Sequence, residues 1–124
     1  MATLTANITL SSTGLTSSAL TITKAPSLSI AGDFVITRTA LSTTSKVIAA
    51  AASYTSAWIW VHNTDSAIHM SLGSNDALDT SLATVDFDLQ NGEWAFFPWN
   101  STVDLHALSA SGTPILEYAI FERA

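Results

Sequence analysis

Apolar and polar side chains alternate one by one along most of this chain, and this two-residue period restricts the possible folds more than any other feature. It starts at residues 4–10, where Leu4, Ile8 and Leu10 alternate with threonine and asparagine. Neighbouring residues of a β-strand face opposite sides, so a strict alternation indicates strands with one buried face. No segment repeats its apolar residues at the 3.6-residue period of an amphipathic helix. The sequence therefore predicts an all-β protein.

The same pattern divides the chain into eight to ten short strands separated by turn residues. After a break at residues 11–14 the alternation returns at 20–22 and, beyond Pro26, at 28–30. Further strands are predicted at residues 34–41, 57–62, 67–72, 85–89, 93–99, 103–108 and 115–122. Residues 46–53 contain four consecutive alanines, which could form one helical turn or a small-residue strand, and the segment is predicted to be a loop or a short helix. Short strands with regularly spaced turns predict an antiparallel β-sandwich, jelly-roll-like, or a flattened barrel.

Two turns are predicted to close hairpins. Residues 63–66 read Asn-Thr-Asp-Ser, and asparagine and aspartate favour turns because their side chains bond nearby backbone groups. Asn91 and Gly92 lie between two alternating runs, and both central residues of a type I′ hairpin turn need positive φ. We therefore expect each turn to join two hydrogen-bonded neighbouring strands.

At 124 residues the chain is predicted to form one domain, 1–124, with a single sandwich core. Nine of its eleven aromatic residues lie between Trp58 and Phe121, which places an aromatic core in residues 57–122. Residues 1–31 are rich in threonine and serine and are predicted to form an N-terminal strand segment or arm. The buried face of that arm comes either from the same domain or from a neighbouring subunit, and the sequence leaves both open.

The scarcity of charge excludes several classes of partner. Charged residues make up 11% of the chain, the net charge is −6, and the four cations are scattered at Lys24, Arg38, Lys46 and Arg123. Because phosphate neutralisation needs clustered cations, we expect binding neither to nucleic acid nor to an anionic membrane surface. The 34 serine and threonine residues instead predict a neutral, hydroxyl-rich surface, which suits a protein that assembles.

Cysteine is absent from the sequence, which excludes disulfides, thiolate zinc sites and cysteine nucleophiles. The first ten residues have neither a cationic start nor a continuous apolar stretch, so no secretory signal is predicted there. No window has the length and hydrophobicity of a membrane span. We therefore expect a soluble chain.

The three histidines give no metal-binding motif. His62, His69 and His106 show neither HxH nor HxxxH spacing, and each is predicted to face solvent from its strand. A weak metal site remains an alternative if His62 and His69 pair across the first predicted hairpin. No metal is expected.

Carboxylates gather around one predicted strand, where Asp86 and Asp88 share a face and follow Asp76 and Asp79. Calcium binding is the functional alternative, but the segment lacks DxDxDG spacing, and a solvated strand face explains the alternation. The serines lie in no GxSxG elbow, and the five glycines form no phosphate-binding loop. We therefore expect no catalytic residue, no cofactor and no enzymatic activity.

The tryptophans are the side chains best suited to recognition. Trp58 and Trp60 fall on one face of a strand, whereas Trp94 and Trp99 fall on opposite faces of another, so at least one of the four is expected outside the main core. Exposed tryptophan either serves a protein interface or stacks on sugar rings. The side chains expected to contact other proteins are Leu4, Ile8, Leu10, Leu20, Ile22, Trp58, Trp60 and Trp99.

Four segments carry a resemblance to a known family: MATLTANITL at the start, AWIWVHNTDSAIHMSLG and FDLQNGEWAFFPW in the aromatic core, and TPILEYAIFE near the end. Together they resemble small β-sandwich virion proteins of tailed bacteriophages, particularly marine ones. The resemblance covers the opening and most of residues 57–122. It assigns structural places to Asn63 and Asp65 in a turn, Gly92 and Glu93 before the next strand, and Glu117 and Tyr118 in the last.

The resemblance implies a non-enzymatic role on the virus particle, most often decorating or cementing the capsid. The implied partners are the major capsid protein and further copies of the chain, with a trimer favoured, and the implied location is the virion, assembled in the host cytoplasm. No small-molecule substrate is expected. A tail, fibre or head-tail connection module that binds a glycan or a receptor is the alternative.

Overall fold

The structure, a computed structural model, describes residues 2–12, 20–32, 34–74, 85–100 and 102–124. These segments contain twelve strands and no helix, which confirms the all-β prediction. The strands are β1 (Ala2–Thr5), β2 (Ile8–Ser12), β3 (Leu20–Lys24), β4 (Ser27–Ile30), β5 (Ile36–Ala40), β6 (Lys46–Ala49), β7 (Ala57–Asn63), β8 (Met70–Gly73), β9 (Phe87–Leu89), β10 (Trp94–Trp99), β11 (Leu105–Ser109) and β12 (Ile115–Glu122).

Strands β5 to β12 form a sandwich of two antiparallel four-stranded sheets. Sheet I has the order β10-β7-β12-β5, and sheet II has the order β6-β11-β8-β9. The pairing is nested, because β5 bonds to β12, β6 to β11, β7 to β10 and β8 to β9. Nested pairing of eight strands is the arrangement of a jelly roll. The predicted jelly-roll-like sandwich is therefore confirmed.

Neither predicted hairpin forms, although the chain turns at both places. Strand β7 lies in sheet I and β8 in sheet II, while β9 lies in sheet II and β10 in sheet I. Gly92 does adopt a positive φ, 75°. Turn residues indicate that the chain reverses, but not which sheet the next strand joins. In a jelly roll most connections cross from one sheet to the other. Among the described sandwich strands, β8 and β9 are the one consecutive pair joined by hydrogen bonds.

The main hydrophobic core lies between the two sheets. Along β7 the side chains of Ala57, Ile59 and Val61 are fully buried, and those between them are half-buried, as the alternation predicts. Strands β8 and β11, central in sheet II, are buried at every position. The other buried members of this core are Leu41, Ile48, Ala49, Met70, Leu72, Leu89, Trp99, Leu105, Ala107 and Leu116.

The alanine-rich segment forms a strand and a turn, so the suggested short helix is wrong. Strand β6 ends at Ala49, which lies opposite Leu105 of β11. The chain then turns, with the Ser53 N–H donating to the carbonyl oxygen of Ala50 at 3.3 Å and Ala52 at a φ of 60°. Pairing with β11 and burial of Ile48 outweigh the helix propensity of alanine, which is a weak local preference.

The first four strands form a two-stranded antiparallel ribbon, called here the N-terminal ribbon. Strand β1 pairs with β4, and β2 pairs with β3. The two pairs continue one register, because the numbers of directly opposite residues add up to the same value in β1–β4 and in β2–β3. Pro26 lacks an N–H and breaks the ladder, although its carbonyl oxygen accepts the Ala6 N–H at 3.4 Å. The break divides the strand predicted at residues 4–10 into β1 and β2, and with β6 this brings the count to twelve, above the predicted eight to ten.

The base of the ribbon packs on the outer face of sheet I, within the same chain. Ile30, Ala119 and Phe121 form a second buried cluster, against which Leu4, Trp58, Trp60 and Phe96 pack. The Ala31 N–H donates to the Glu122 carbonyl oxygen at 2.9 Å, and the Ala124 N–H donates to that of Ser29 at 3.2 Å. The apolar face of the ribbon base is therefore buried against the sandwich of its own chain.

Candidate assembly surface

The register of the N-terminal ribbon sorts its side chains onto two faces of different chemistry. Directly opposite residues of an antiparallel pair share a face. One face carries Leu4 opposite Leu28 and Leu10 opposite Ile22, with Lys24 beside them. The other face carries pairs of hydroxyl side chains: Thr3 with Ser29, Thr5 with Ser27, Thr9 with Thr23, and Ser11 with Thr21. The ribbon is therefore amphipathic along its described length.

The apolar face of the ribbon continues past the sandwich that covers its base. Ile30 is 5% exposed, and Leu4 and Ile8 are half-buried, but Leu10 is 55% and Ile22 is 42% exposed. Leu20, also predicted to contact a partner, begins β3 opposite Ser12. Covering the exposed parts of Leu10 and Ile22 would contribute roughly 1 kcal/mol each, about half the value of burying such a side chain fully. The apolar stripe at the free end is thus available to another surface.

A second exposed feature crosses the outer face of sheet I beyond the ribbon. The register places Trp94, His62, Glu117 and Arg38 side by side on strands β10, β7, β12 and β5, and we call this set the aromatic-charged row. Arg38 Nε lies 3.1 Å and His62 Nδ1 lies 3.7 Å from the Glu117 carboxylate. Trp94 is 54% exposed, and Trp60 adjoins the row with its ring centre 5.8 Å from that of His62.

The aromatic-charged row includes Trp94, which was not among the side chains predicted to contact other proteins. It does not include Trp99, which was. Trp99, expected at an interface, is 7% exposed and belongs to the main core, so that expectation is wrong. Its position opposite Ala57 points it between the sheets, and the odd spacing to Trp94 turns that ring outward. Trp58 and Trp60 do share a face, as predicted, but both are half-buried beside the ribbon base.

The residues predicted to contact other proteins also did not include those at an apolar edge of sheet I. Strand β5 ends sheet I and, among the described strands, pairs only with β12. Ile36, the first residue of this strand, is 52% exposed, and Phe34 and Val35 just before it are 45% and 75% exposed. An unpaired edge with apolar side chains is a template for strand addition. The signal in the sequence was the run of three consecutive apolar residues, Phe34-Val35-Ile36, at the start of the strand predicted at residues 34–41.

The histidines do not come together. His62 lies in sheet I, whereas His69 precedes β8 of sheet II with its Nδ1 3.0 Å from Asp88 Oδ1. His106 is 6% exposed, so its predicted outward orientation is wrong. A shift in the β6–β11 register between Leu105 and His106 departs from simple alternation there. In the described segments no three histidine or carboxylate side chains are grouped as metal ligands.

Ser45, His106 and Asp104 form a serine–histidine–aspartate set that the sequence did not reveal. Ser45 Oγ lies 3.0 Å from His106 Nδ1, while His106 Nε2 lies 3.9 Å from the Asp104 carboxylate. That second distance exceeds a hydrogen bond, and the carboxylate already accepts the Ala51 N–H. The contact that orients a catalytic histidine is therefore missing. The set instead fastens β6 to β11.

The described carboxylates of the predicted strand face, Asp86 and Asp88, are hydrogen-bonded to neighbouring side chains and backbone groups. Asp88 accepts from Ser71 Oγ at 3.1 Å and also contacts Gln90 and His69. Ser71 is 2% exposed. Asp86 accepts the Ser74 N–H at 2.7 Å. Asp76 and Asp79, the other half of the possible calcium site, lie outside the described residues.

The turn after β7 is held by the two side chains that the sequence assigned to it. Asp65 Oδ1 accepts the N–H groups of Ala67 and Ile68, both at 2.8 Å. These bonds, the Ala67 bond first, hold the pKa of the Asp65 carboxyl below its usual range. Asn63 Oδ1 accepts the Asp65 N–H at 3.0 Å. The carboxylate therefore caps the reversal that carries the chain from sheet I to sheet II.

The lowered pKa gives a testable pH dependence. A carboxyl whose folded pKa lies below its unfolded value stabilises the fold above about pH 4, and this contribution disappears as pH falls through the folded pKa. Asp65→Asn keeps an acceptor oxygen and loses the charge, so we expect a lower melting temperature than wild type at neutral pH. The two melting temperatures should converge as pH falls towards about 3. A gap of constant size across this range would contradict the assignment.

Comparison with known proteins assigns no family. No family model matches the chain, and no curated protein matches its sequence. One solved structure that this chain matches distantly is from Bacillus endospore appendages, described as a novel family of disulfide-linked pili. It is 12% identical, covers 78% of this chain and 91% of the pilus chain, and gives a TM-score of 0.49. In the part of the chain described, no helix has the length and apolar character needed to cross a membrane.

Proposed function

We propose that this protein is a non-enzymatic structural protein of a bacteriophage virion that decorates and cements the capsid. The observation that carries the proposal is the amphipathic N-terminal ribbon, whose apolar face continues past its own sheet and ends in the exposed Leu10 and Ile22. Such a stripe gains free energy when it is laid on a second surface. The segments that resemble phage virion proteins and the jelly-roll sandwich support the same role.

In the proposed mechanism, the sandwich is a rigid body and the ribbon is its fastener. The base of the ribbon is fixed to sheet I through Ile30 and Leu4, so its free end is held in one direction. Its partners are the major capsid protein and neighbouring copies, in a trimer. The apolar edge at Val35 and Ile36 offers strand addition as a second contact. Many weak contacts repeated over a shell add up to firm attachment, since each bound site raises the local concentration of the next.

The proposal is tested by removing the apolar stripe without disturbing the sandwich. A double variant, Leu10→Thr with Ile22→Thr, keeps β-branched or strand-compatible residues and should retain the wild-type melting temperature within a few degrees. Binding to capsids stripped of this protein should weaken by about tenfold or more, because two apolar anchors are lost. Particles assembled with the variant should also break at lower temperature than those carrying wild type.

The matched control replaces two equally exposed valines elsewhere, Val47→Thr with Val103→Thr, which are both 42% exposed. This variant should bind capsids like wild type. Equal binding by wild type and the ribbon variant would overturn the proposed fastening role. Copy number separates the alternative place on the virion, since hundreds of copies per particle indicate a capsid coat and a handful indicate a tail or fibre.

A further inference from the structure

The aromatic-charged row borders a shallow cleft that the proposed fastening does not use. Trp60, His62 and Trp94 line this cleft, which has a volume of about 260 Å³. Trp94 is 54% exposed, although tryptophan is usually among the most buried residues on average. Two indole rings and an imidazole thus form an apolar wall that faces solvent.

Beyond His62, which lines the cleft, the row continues with charged side chains. Glu117 is the centre of this part of the row, with Arg38 Nε 3.1 Å and His62 Nδ1 3.7 Å from its carboxylate oxygens. The Glu117 side chain is 22% exposed, and those of His62 and Arg38 are 32% and 65% exposed. The carboxylate supplies acceptors, the guanidinium supplies donors, and the imidazole supplies one of each when neutral. The three groups can therefore meet both the donor and the acceptor sides of hydroxyl groups.

We propose that the aromatic-charged row is a carbohydrate-binding site for β-linked pyranose sugars. An equatorially substituted pyranose has a flat face of C–H groups, which fits against the electron-rich face of the Trp94 indole. Its hydroxyls would reach His62 on the next strand. Neighbouring strands lie about 4.8 Å apart, so the hydroxyls of the following sugar residues would reach Glu117 and Arg38. This inference does not depend on the fastening role, which rests on Leu10 and Ile22 and not on the row.

The charges favour a sugar over the apolar ribbon of another copy. An apolar face laid on the row would remove water from Glu117 and Arg38 and return no hydrogen bonds to them, which is unfavourable. Sugar hydroxyls replace those lost water contacts. A strongly charged ligand fits less well, because Glu117 and Arg38 have opposite charges side by side.

The test uses four soluble probes: cellotetraose, laminaritetraose, chitotriose and lactose. Each is titrated into the full chain while the indole N–H signal of Trp94 and the backbone signals of His62 and Glu117 are followed by NMR. We expect at least one probe to shift these signals saturably. Trp94→Ala should weaken that binding by about tenfold or more, the usual effect of truncating a central tryptophan. Trp94→Phe keeps a flat ring and should recover most of it.

Val103→Ala is the matched control, since it truncates an exposed apolar side chain that belongs neither to the row nor to the cleft, and it should leave the titration unchanged. Failure of all four probes to shift the row overturns the inference, as does undiminished binding in Trp94→Ala. Signals of Trp94 that move with protein concentration alone, and stop moving in the Leu10→Thr, Ile22→Thr variant, would assign the row to self-association instead. Because capsid binding and sugar titration are measured separately, either role can fail without the other.

Discussion

Replacing Asn63 with alanine is expected to lower the free energy of unfolding by about 2 to 4 kcal/mol, because it removes three hydrogen bonds from a fully buried side chain. Asn63 is 0% exposed at the end of β7. Its Nδ2 group donates to the carbonyl oxygens of Ile68 at 2.8 Å and of Leu89 and Gln90 at 3.1 Å. One side chain therefore ties the end of a sheet I strand to the chain just before β8 and to the end of β9, two neighbouring strands of sheet II.

Asn63→Asp is expected to destabilise the protein at least as much as alanine at neutral pH. Its carboxylate has nearly the shape of the amide, but an ionised carboxylate only accepts hydrogen bonds, and it would face three carbonyl oxygens. Asn91→Ala is the matched control, since Asn91 is exposed in a turn and its replacement should change stability by about 0.5 kcal/mol or less. Urea unfolding of the four proteins measures these differences. An Asn63→Ala protein as stable as the control would show that the three contacts contribute little.

Asn63 also shows where local sequence information ends. The turn signal at residues 63–66 correctly located a chain reversal, and Asp65 caps it as turn chemistry predicts. The same signal predicted a hairpin, but the chain leaves one sheet and enters the other. The groups that select this outcome, the carbonyls of Leu89 and Gln90, lie more than twenty residues further along the chain. A pattern that spans a few residues cannot report a partner at that distance.

The sequence likewise predicts the candidate assembly surface only in part. The two-residue period shows that Trp94 and Trp99 face opposite sides of one strand, and the structure confirms it. It does not show which side faces the partner sheet, so Trp99 was wrongly expected at an interface. Their places are decided by the pairing of β10 with β7, which sets Trp99 opposite the fully buried Ala57. The exposure of Leu10 and Ile22 was predictable from the sequence, because an alternating strand without aromatic neighbours indicates an incompletely covered face.

Phe121→Ala is expected to lower the free energy of unfolding by about 3 to 5 kcal/mol, the range for removing a buried phenylalanine. Phe121 is 7% exposed and lies where the ribbon meets the sandwich. Its ring centre is 4.6 Å from that of Phe34 and 6.3 Å from that of Phe96. The buried side chain of Ile30 belongs to the same cluster. The substitution therefore leaves a cavity beneath the ribbon base and not between the two sheets.

The position of that cavity predicts a local opening before global unfolding. Hydrogen exchange should accelerate most at the Ala31 and Ala124 N–H groups, which hold the ribbon base to the sandwich. Ile59, in the main core, should keep its slow exchange under native conditions. Ile22→Ala, at the exposed end of the ribbon, is the control and should change neither stability nor base exchange appreciably. Equal acceleration at Ala31 and Ile59 would mean that ribbon and sandwich open as one unit, and the ribbon would then not be a separately fastened element.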